Sequence, residues 1–125
     1  MLFKLATDLA YCLVRLILRH FFSFFYKLEV RGRENIPQNG SFIIASNHTS
    51  FYDPPIIISL MPFKIHWLIA KYIYELPIIH WFWKLGAFIS ANGASKMAIE
   101  HLTNNKVLAI FPEGSRSKDG KPSKP

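Results

Sequence analysis

The sequence predicts an α/β fold, a largely parallel or mixed sheet with flanking helices that is preceded by an N-terminal amphipathic helix. From residue 28 onward, short β-like apolar runs alternate with helical patterns, which is typical of strands joined by helical connections. The first 27 residues carry one continuous helical pattern instead. With 125 residues, of which 50% are hydrophobic, the chain is long enough to bury a modest core.

The charge balance limits the classes of binding partner, and the cysteine content indicates the cellular compartment. Lys and Arg number 15 against 8 Asp and Glu, and the net charge of +7 suits an anionic partner. We expect a phospholipid surface and no nucleic acid, because the basic residues form no cluster and most aromatic residues fall in apolar runs. Cys12 is the single cysteine, so no intrachain disulfide can form and a reducing compartment is expected.

Residues 1–27 are predicted to form a membrane-associated helix. Polar residues recur in steps of three or four along one side of it, and nearly every residue between them is apolar. The polar positions are Lys4, Asp8, Tyr11, Arg15, Arg19, Ser23 and Lys27. These charges argue against a signal peptide and a spanning helix. A wide apolar face with basic residues beside it predicts a helix that lies in the membrane interface, at the cytoplasmic face. The alternative is a helix that packs its apolar face on a partner domain.

Residues 28–125 are predicted to form the second domain. Strands are predicted at 28–32, 41–47 (buried), 64–70, 87–90 and 106–111, and helices at 54–61, 71–86 and 95–105. Pro77 is expected to bend or interrupt the second of these helices. In parallel sheets, ligands bind outside the carboxyl ends of the strands. Two polar motifs follow predicted strands there, at 47–53 and 112–117.

The first motif is "NHTSFYD", residues 47–53. Pro54 follows Asp53, so this aspartate is expected at the start of the next helix. One interpretation is a helix N-cap, with His48 as a polar turn residue. The other is an acid–base pair, because an aspartate on one imidazole nitrogen leaves the other free to take a proton. A His–Asp pair suits general-base activation of a substrate hydroxyl.

The second motif is "FPEGSRSKDG", residues 111–120. Pro112 ends the predicted strand, Gly114 allows a tight turn, and Arg116 supplies a planar fork suited to a phosphate group. Ser115 and backbone N–H groups could add donors. The alternative is a surface turn with a solvated arginine.

Taken together, "NHTSFYD" and "FPEGSRS" strongly resemble the 1-acyl-sn-glycerol-3-phosphate acyltransferase family. The resemblance extends from "LEVRGRENIP" to "FPEGSRSKDGKP". It implies that His48 is the catalytic base with Asp53 as its partner, and that Glu113, Gly114 and Arg116 help to hold the phosphate of the acceptor. The implied reaction is attack of a lysophosphatidate hydroxyl on the thioester of acyl-CoA or acyl carrier protein, which gives phosphatidate. No metal or redox cofactor is expected.

One departure from the family concerns a connecting motif. Relatives usually carry an arginine in a G-x-x-x-x-x-R pattern, where this chain has Gly86 and Asn92. Asn92 thus replaces an expected phosphate ligand, and Lys71 and Lys96 are candidates to compensate. Within the first motif, Asn47 and Ser50 are further candidate site residues.

The second departure is length. Family members continue beyond the second polar motif, so the resemblance implies that the acyltransferase domain, 28–125, is incomplete at its C-terminus. A second hypothesis is therefore a non-catalytic, truncated, membrane-peripheral relative that keeps the fold and lipid binding. A serine hydrolase is disfavoured, because the sequence has no nucleophile elbow.

Overall fold

The computed structural model describes residues 1–70, 73, 75–77, 88–90, 94–117 and 119–121. Its helices and strands are α1 (Leu2–Phe25), β1 (Ile43–Ala45), α2 (Asp53–Leu60), β2 (Ile65–Ile69), β3 (Phe88–Ser90), α3 (Ala94–Thr103) and β4 (Val107–Ile110). A single 3₁₀ turn, Arg33–Asn35, is described between α1 and β1. The described strands form one sheet in the order β1-β4-β2-β3, and every neighbouring pair is parallel. The predicted α/β class is confirmed.

The strand order places the two polar motifs beside each other. β1 pairs with β4, although about half of the chain separates them, and Ala45 lies opposite Ile110 at the carboxyl ends of both strands. The Ser46 N–H donates to the Ile110 carbonyl (3.2 Å), which extends this pairing by one residue. Because parallel neighbours end at the same edge of a sheet, the turn after β1 and the turn after β4 must meet there.

Two of the strand predictions need correction. Residues 28–32 are not a strand, since no described strand pairs with them; the Leu28 N–H bonds locally to the Tyr26 carbonyl (2.8 Å) instead. The strand predicted as buried at 41–47 is β1, which is only three residues long and lies at one edge of the described sheet. Ile43 is 51% exposed there, because an edge strand is covered incompletely.

The other predicted elements correspond to observed ones within a few residues at their ends. Strands β2, β3 and β4 and helices α2 and α3 match the predictions at 64–70, 87–90, 106–111, 54–61 and 95–105. The helix predicted at 71–86 falls largely outside the described residues. The core lies between the sheet and helices α1 and α2. Its buried cluster consists of Tyr11, Ile58, Ile65, Trp67 and Ala109.

Helix α1 directs part of its polar stripe toward the rest of the protein. The buried Tyr11 hydroxyl accepts a hydrogen bond from the Ile65 N–H (3.1 Å), at the start of β2. Asp8 pairs with Lys64 at 2.8 Å, and the hydrogen bond from that lysine is the main reason why the pKa of Asp8 is lowered. Arg15 donates to the Met61 carbonyl at the end of α2 (3.1 Å). These polar groups therefore fix α1 to the sheet.

The apolar side of α1 is exposed as a result. Its large exposed hydrophobic residues are Leu2, Phe3, Leu5, Leu9, Leu13, Leu16, Ile17, Phe21, Phe24 and Phe25. Phe22 is an exception, since it is buried and has edge-to-face contact with Tyr52. In the part of the chain that the structure describes, no helix has the length and hydropathy needed to cross a membrane.

Candidate active site

The turn after β1 and the turn after β4 are joined by direct hydrogen bonds. The Ser117 N–H donates to the His48 carbonyl (2.8 Å), and the His48 N–H donates to the Glu113 carboxylate (3.3 Å). Glu113 was predicted to bind substrate, and this contact shows it bracing the backbone of the other turn. Residues far apart in sequence thus form one local structure.

A single carboxylate oxygen of Asp53 stabilises the first turn. Its Oδ2 accepts hydrogen bonds from the backbone N–H groups of Thr49 (2.7 Å) and Ser50 (2.8 Å) and lies 3.0 Å from His48 Nδ1. Burial alone would raise the pKa of Asp53, but the hydrogen bonds from Ser50, His48 and Thr49 outweigh it, so the pKa is lowered. The carboxyl group is therefore ionised at neutral pH.

The predicted N-cap role of Asp53 needs correction. Helix α2 begins at Asp53 with Tyr52 as the N-cap residue, and no side-chain hydrogen bond caps the helix. The Asp53 carboxylate bonds to the turn that precedes the helix instead. Pro54 follows within the first turn of the helix, as predicted. The geometry therefore favours the acid–base pair over the simple helix start.

The orientation of His48 follows from its aspartate partner. An ionised carboxylate can only accept, so Nδ1 carries the hydrogen and Nε2 is left as a proton acceptor. The side chains of His48 and Asp53 are 16% and 19% exposed, which is enough for contact with a substrate at the surface. The imidazole is stacked on the ring of Phe111, with centroids 3.9 Å apart and planes 13° apart.

The second turn is built on a glycine. The Gly114 N–H donates to the Phe111 carbonyl (3.0 Å), which closes a four-residue turn with Pro112 at its second position. Gly114 has φ of +66°, a conformation that other residues adopt only with strain. An added Cβ would meet no atom within 4 Å, so the backbone conformation and not the available space explains the glycine.

Arg116 reaches across to the first turn. Its guanidinium carbon lies 3.6 Å from the centroid of the Phe51 ring, within the range of a cation–π contact. Among the described residues, no carboxylate forms an ion pair with Arg116. Arg116 is exposed in a turn that is hydrogen-bonded to the turn of His48 and Asp53, so its cation can bind an anionic group there.

The other predicted site residues differ in their positions. Asn47 and Ser115 are exposed in the two turns, and Gly114 shapes the second. Ser50 stabilises the first turn, since its hydroxyl accepts from the Tyr52 N–H (3.2 Å). Lys71 and Asn92 lie outside the described residues. Across the described part of the chain, no three His, Cys, Asp or Glu side chains are close enough to hold a metal ion.

Sequence patterns alone did not indicate the two aromatic contacts. Phe111 was predicted only as the end of a strand and Phe51 only as a motif position. Phe111 in turn is stacked on the buried ring of Trp67, with centroids 5.0 Å apart and planes 26° apart. The sequence signal for both rings is their position inside the two motifs. Their contacts follow from it only once β1 and β4 are known to pair.

Comparison with known proteins places the chain in a family. A family model described as Acyltransferase matches residues 27–125. The chloroplastic 1-acyl-sn-glycerol-3-phosphate acyltransferase of Arabidopsis thaliana is 34% identical over 108 residues, which are 78% of this chain and 30% of that protein. The 1-acyl-sn-glycerol-3-phosphate acyltransferase of Bacillus subtilis is 27% identical over 104 residues, 78% of this chain and 52% of that one.

A solved structure gives the same result for the fold. The crystal structure of the 1-acyl-sn-glycerophosphate acyltransferase PlsC from Thermotoga maritima superposes with a TM-score of 0.78 at 28% identity, over 94% of this chain and 50% of that chain. The chain thus spans about a third to a half of the length of these relatives. The two motifs, the parallel sheet and the family match agree, and the chain belongs to the acyltransferase family.

Proposed function

We propose that this protein transfers an acyl group from a thioester to the free hydroxyl of lysophosphatidate. The observation that carries the proposal is the His48–Asp53 hydrogen bond of 3.0 Å, which leaves Nε2 as a proton acceptor. Arg116, in the adjoining turn, has no ion-pair partner among the described residues. Both curated relatives described above are named 1-acyl-sn-glycerol-3-phosphate acyltransferases, which supports this acceptor. A base and an anion-binding group at neighbouring positions suit an acceptor that carries a hydroxyl and a phosphate.

In the proposed mechanism, Nε2 of His48 removes the proton from the acceptor hydroxyl as its oxygen attacks the thioester carbonyl. The ionised Asp53 holds the imidazole in the required tautomer and stabilises the positive charge that develops on it. The proton is then delivered to the departing thiolate. The products are phosphatidate and the free thiol of CoA or acyl carrier protein.

The phosphate of the acceptor is assigned to the second turn. Arg116 supplies the charge and planar donors, while Ser115 and the backbone around Gly114 are exposed beside it. Glu113 contributes indirectly, through its contact with the His48 N–H. The chemistry needs no metal or redox cofactor, because base, acceptor and activated donor are sufficient for acyl transfer.

We also propose that residues 1–27 attach the acyltransferase domain, 28–125, to the cytoplasmic face of a membrane. The support is the exposed apolar side of α1, which would be costly to leave in water and suits a lipid interface. A membrane position would also bring the site near its lipid acceptor. Since Asp8 and Arg15 bind other parts of the protein, the attraction to anionic lipid is assigned to Lys4, Arg19 and Lys27.

A pair of matched substitutions tests membrane attachment. Leu9 on α1 and Ile99 on α3 are 62% and 61% exposed, so an aspartate at either position costs the folded protein little. We expect Leu9→Asp to weaken sedimentation with anionic vesicles by about tenfold or more, because a leucine leaves the apolar phase. Ile99→Asp should sediment like the unchanged protein. Equal binding of all three proteins would contradict the attachment.

The catalytic proposal is tested by phosphatidate formation from lysophosphatidate, with acyl-CoA and acyl carrier protein supplied in separate assays. We expect product with at least one donor. His48→Ala should lower the rate by about 10²-fold or more, because general-base catalysis contributes that much. His101→Ala, the same change on α3, should leave the rate intact. A folded protein that binds vesicles but forms no product would favour the non-catalytic relative.

A further inference from the structure

Each of the two turns carries an aromatic ring on which a polar side chain of the other turn lies. His48 of the first turn is stacked on Phe111, at the start of the second, with centroids 3.9 Å apart. Arg116 of the second turn lies over Phe51 of the first, at 3.6 Å. A phenylalanine has no proton to exchange and no polar atom for a phosphate. Any contribution of these rings to acyl transfer must therefore be geometric.

We infer that Phe51 and Phe111 are positioning residues, Phe111 for the base and Phe51 for the phosphate-binding arginine. This inference rests on the proposed function. It assigns the two rings different kinetic consequences, because His48 acts in the proton transfer and Arg116 in acceptor binding.

Asp53 alone does not determine the orientation of the His48 ring. A single hydrogen bond at Nδ1 fixes the distance of the imidazole from Asp53 but permits the ring to swing about that bond. A second ring stacked nearly parallel, with planes 13° apart, removes this freedom. Phe111 can do so because it is itself held by the buried Trp67 and by the end of β4. The position of Nε2 is thus fixed relative to the core through the stacked rings of Phe111 and Trp67.

Phe51 affects which donors of Arg116 stay available. A guanidinium carbon 3.6 Å from the ring centroid is too close for an N–H group to point into the ring, so the contact is made through the face of the group. Since all guanidinium donors lie in the plane of the group, this contact leaves the N–H groups at its edge available for an anion. A carboxylate partner would hold the arginine equally well but would occupy those donors. Phe51 is 72% exposed and two residues from Asp53, so it presents this platform at the mouth of the site.

The experiment compares kcat and KM of leucine variants with those of tyrosine variants at the same positions. Phe51→Leu should raise KM for lysophosphatidate about 2- to 5-fold, as loss of an exposed cation–π contact predicts, with kcat unchanged. Phe111→Leu should lower kcat about tenfold or more with KM unchanged, because the base is misplaced. Phe51→Tyr and Phe111→Tyr keep the aromatic rings, so their kcat and KM should equal those of the unchanged protein.

Two neighbouring aromatic residues provide controls. Tyr52 contacts Phe22 and Tyr26, while Phe63 contacts Phe42, and among the described residues neither ring contacts the side chain of His48 or Arg116 in an aromatic or cation–π pair. Tyr52→Leu and Phe63→Leu should change neither kcat nor KM in these ways. The inference is overturned if these controls show the same effects, or if the leucine variants at 51 and 111 match the unchanged protein.

A second measurement does not depend on turnover. In the proton NMR spectrum, the imidazole C–H signals of His48, assigned by their loss in His48→Ala, should be shifted upfield relative to the exposed His20. Phe51→Leu should also bind inorganic phosphate about 2- to 5-fold more weakly. If the unchanged protein forms no phosphatidate, the proposed function fails, and these two readouts alone decide the positioning. In that case, unshifted His48 signals overturn the positioning role of Phe111, and unaltered phosphate binding overturns that of Phe51.

Discussion

The turn that carries His48 and the turn that carries Arg116 are neighbours at one sheet edge, yet they are held in different ways. In the first, one carboxylate oxygen accepts from two backbone N–H groups and contacts the imidazole. In the second, one backbone hydrogen bond and the positive φ of Gly114 form the turn, and most of its residues are exposed. His48, the proposed base, is thus fixed from several directions, while the turn proposed to bind the phosphate is open.

This difference fits the two tasks assigned to the turns. A base must be placed to within a fraction of an ångström of the proton it removes, because small displacements reduce the rate steeply. An arginine that binds a phosphate acts over a longer distance and can adapt to the bound group. We therefore expect substitutions of His48 and Asp53, in the first turn, to alter kcat, and substitution of Arg116, in the second, to alter KM for lysophosphatidate. Substitutions of Phe111 and Phe51 should alter the parameter of the residue that each ring contacts, His48 and Arg116 respectively.

The largest effect is expected from Asp53→Asn. An amide can donate to the imidazole and stabilise the wrong tautomer, so kcat should fall about 10²-fold. The free energy of unfolding should also fall by about 1 kcal/mol, since the amide is a weaker acceptor for the two backbone N–H groups. Steady-state kinetics and urea unfolding measure the two changes. An unchanged kcat would remove the functional distinction between the turns.

Arg116→Lys should have the next largest effect. Lysine keeps the charge but loses the planar fork and the face-on contact with Phe51. We expect KM for lysophosphatidate to rise about tenfold, with little change in KM for the acyl thioester. The thioester KM serves as the internal control. If it alone rises, the second turn has been assigned to the wrong substrate.

Asn92→Arg should act in the opposite direction. Asn92 lies outside the described residues, but the family pattern usually has an arginine at this position. Restoring the charge should lower KM for lysophosphatidate by up to about tenfold, as one charge-assisted hydrogen bond to a phosphate permits. Asn92→Lys is the matched control for charge without the fork. A rise in KM would contradict the assignment of this position to the acceptor.

The smallest effect is expected on stability in acid. The pKa of Asp53 is lowered in the folded state, so its contribution is complete above about pH 4, the unfolded value, and is lost as the pH falls through the folded value. The difference in unfolding free energy between the protein and Asp53→Asn should therefore shrink below about pH 4. The buried His66, whose pKa is lowered to about 4 mainly by desolvation, is present in both proteins and cancels. A difference that grows in acid would show that Asp53 is not held as an ionised acceptor.

The parts of the structure that follow from local sequence were predictable. Alternating apolar runs indicated the strands, the proline at 54 indicated the start of α2, and the spacing of His48 and Asp53 indicated a pair within one turn. The strand predicted at 28–32 was wrong, because strand propensity does not supply a pairing partner. The pattern of α1 showed a polar side but not that Tyr11 on this side would be buried against β2.

The contacts between the turns could not be predicted from spacing. The stacking of His48 on Phe111, and of Arg116 on Phe51, depends on β1 and β4 becoming neighbours across a long stretch of chain. Nothing in either motif alone encodes that pairing. The motifs show which residue types are present, whereas the sheet order determines which of them touch.

The measurement that tests the division of labour most directly is a comparison of His48→Ala, Arg116→Lys and the double variant in one steady-state assay. We expect His48→Ala to lower kcat about 10²-fold at constant KM for lysophosphatidate, and Arg116→Lys to raise this KM about tenfold at constant kcat. The double variant should show both changes at nearly full size, because each residue acts on a different parameter. If Arg116→Lys lowers kcat as much as His48→Ala does, the proposed division of roles between His48 and Arg116 is contradicted.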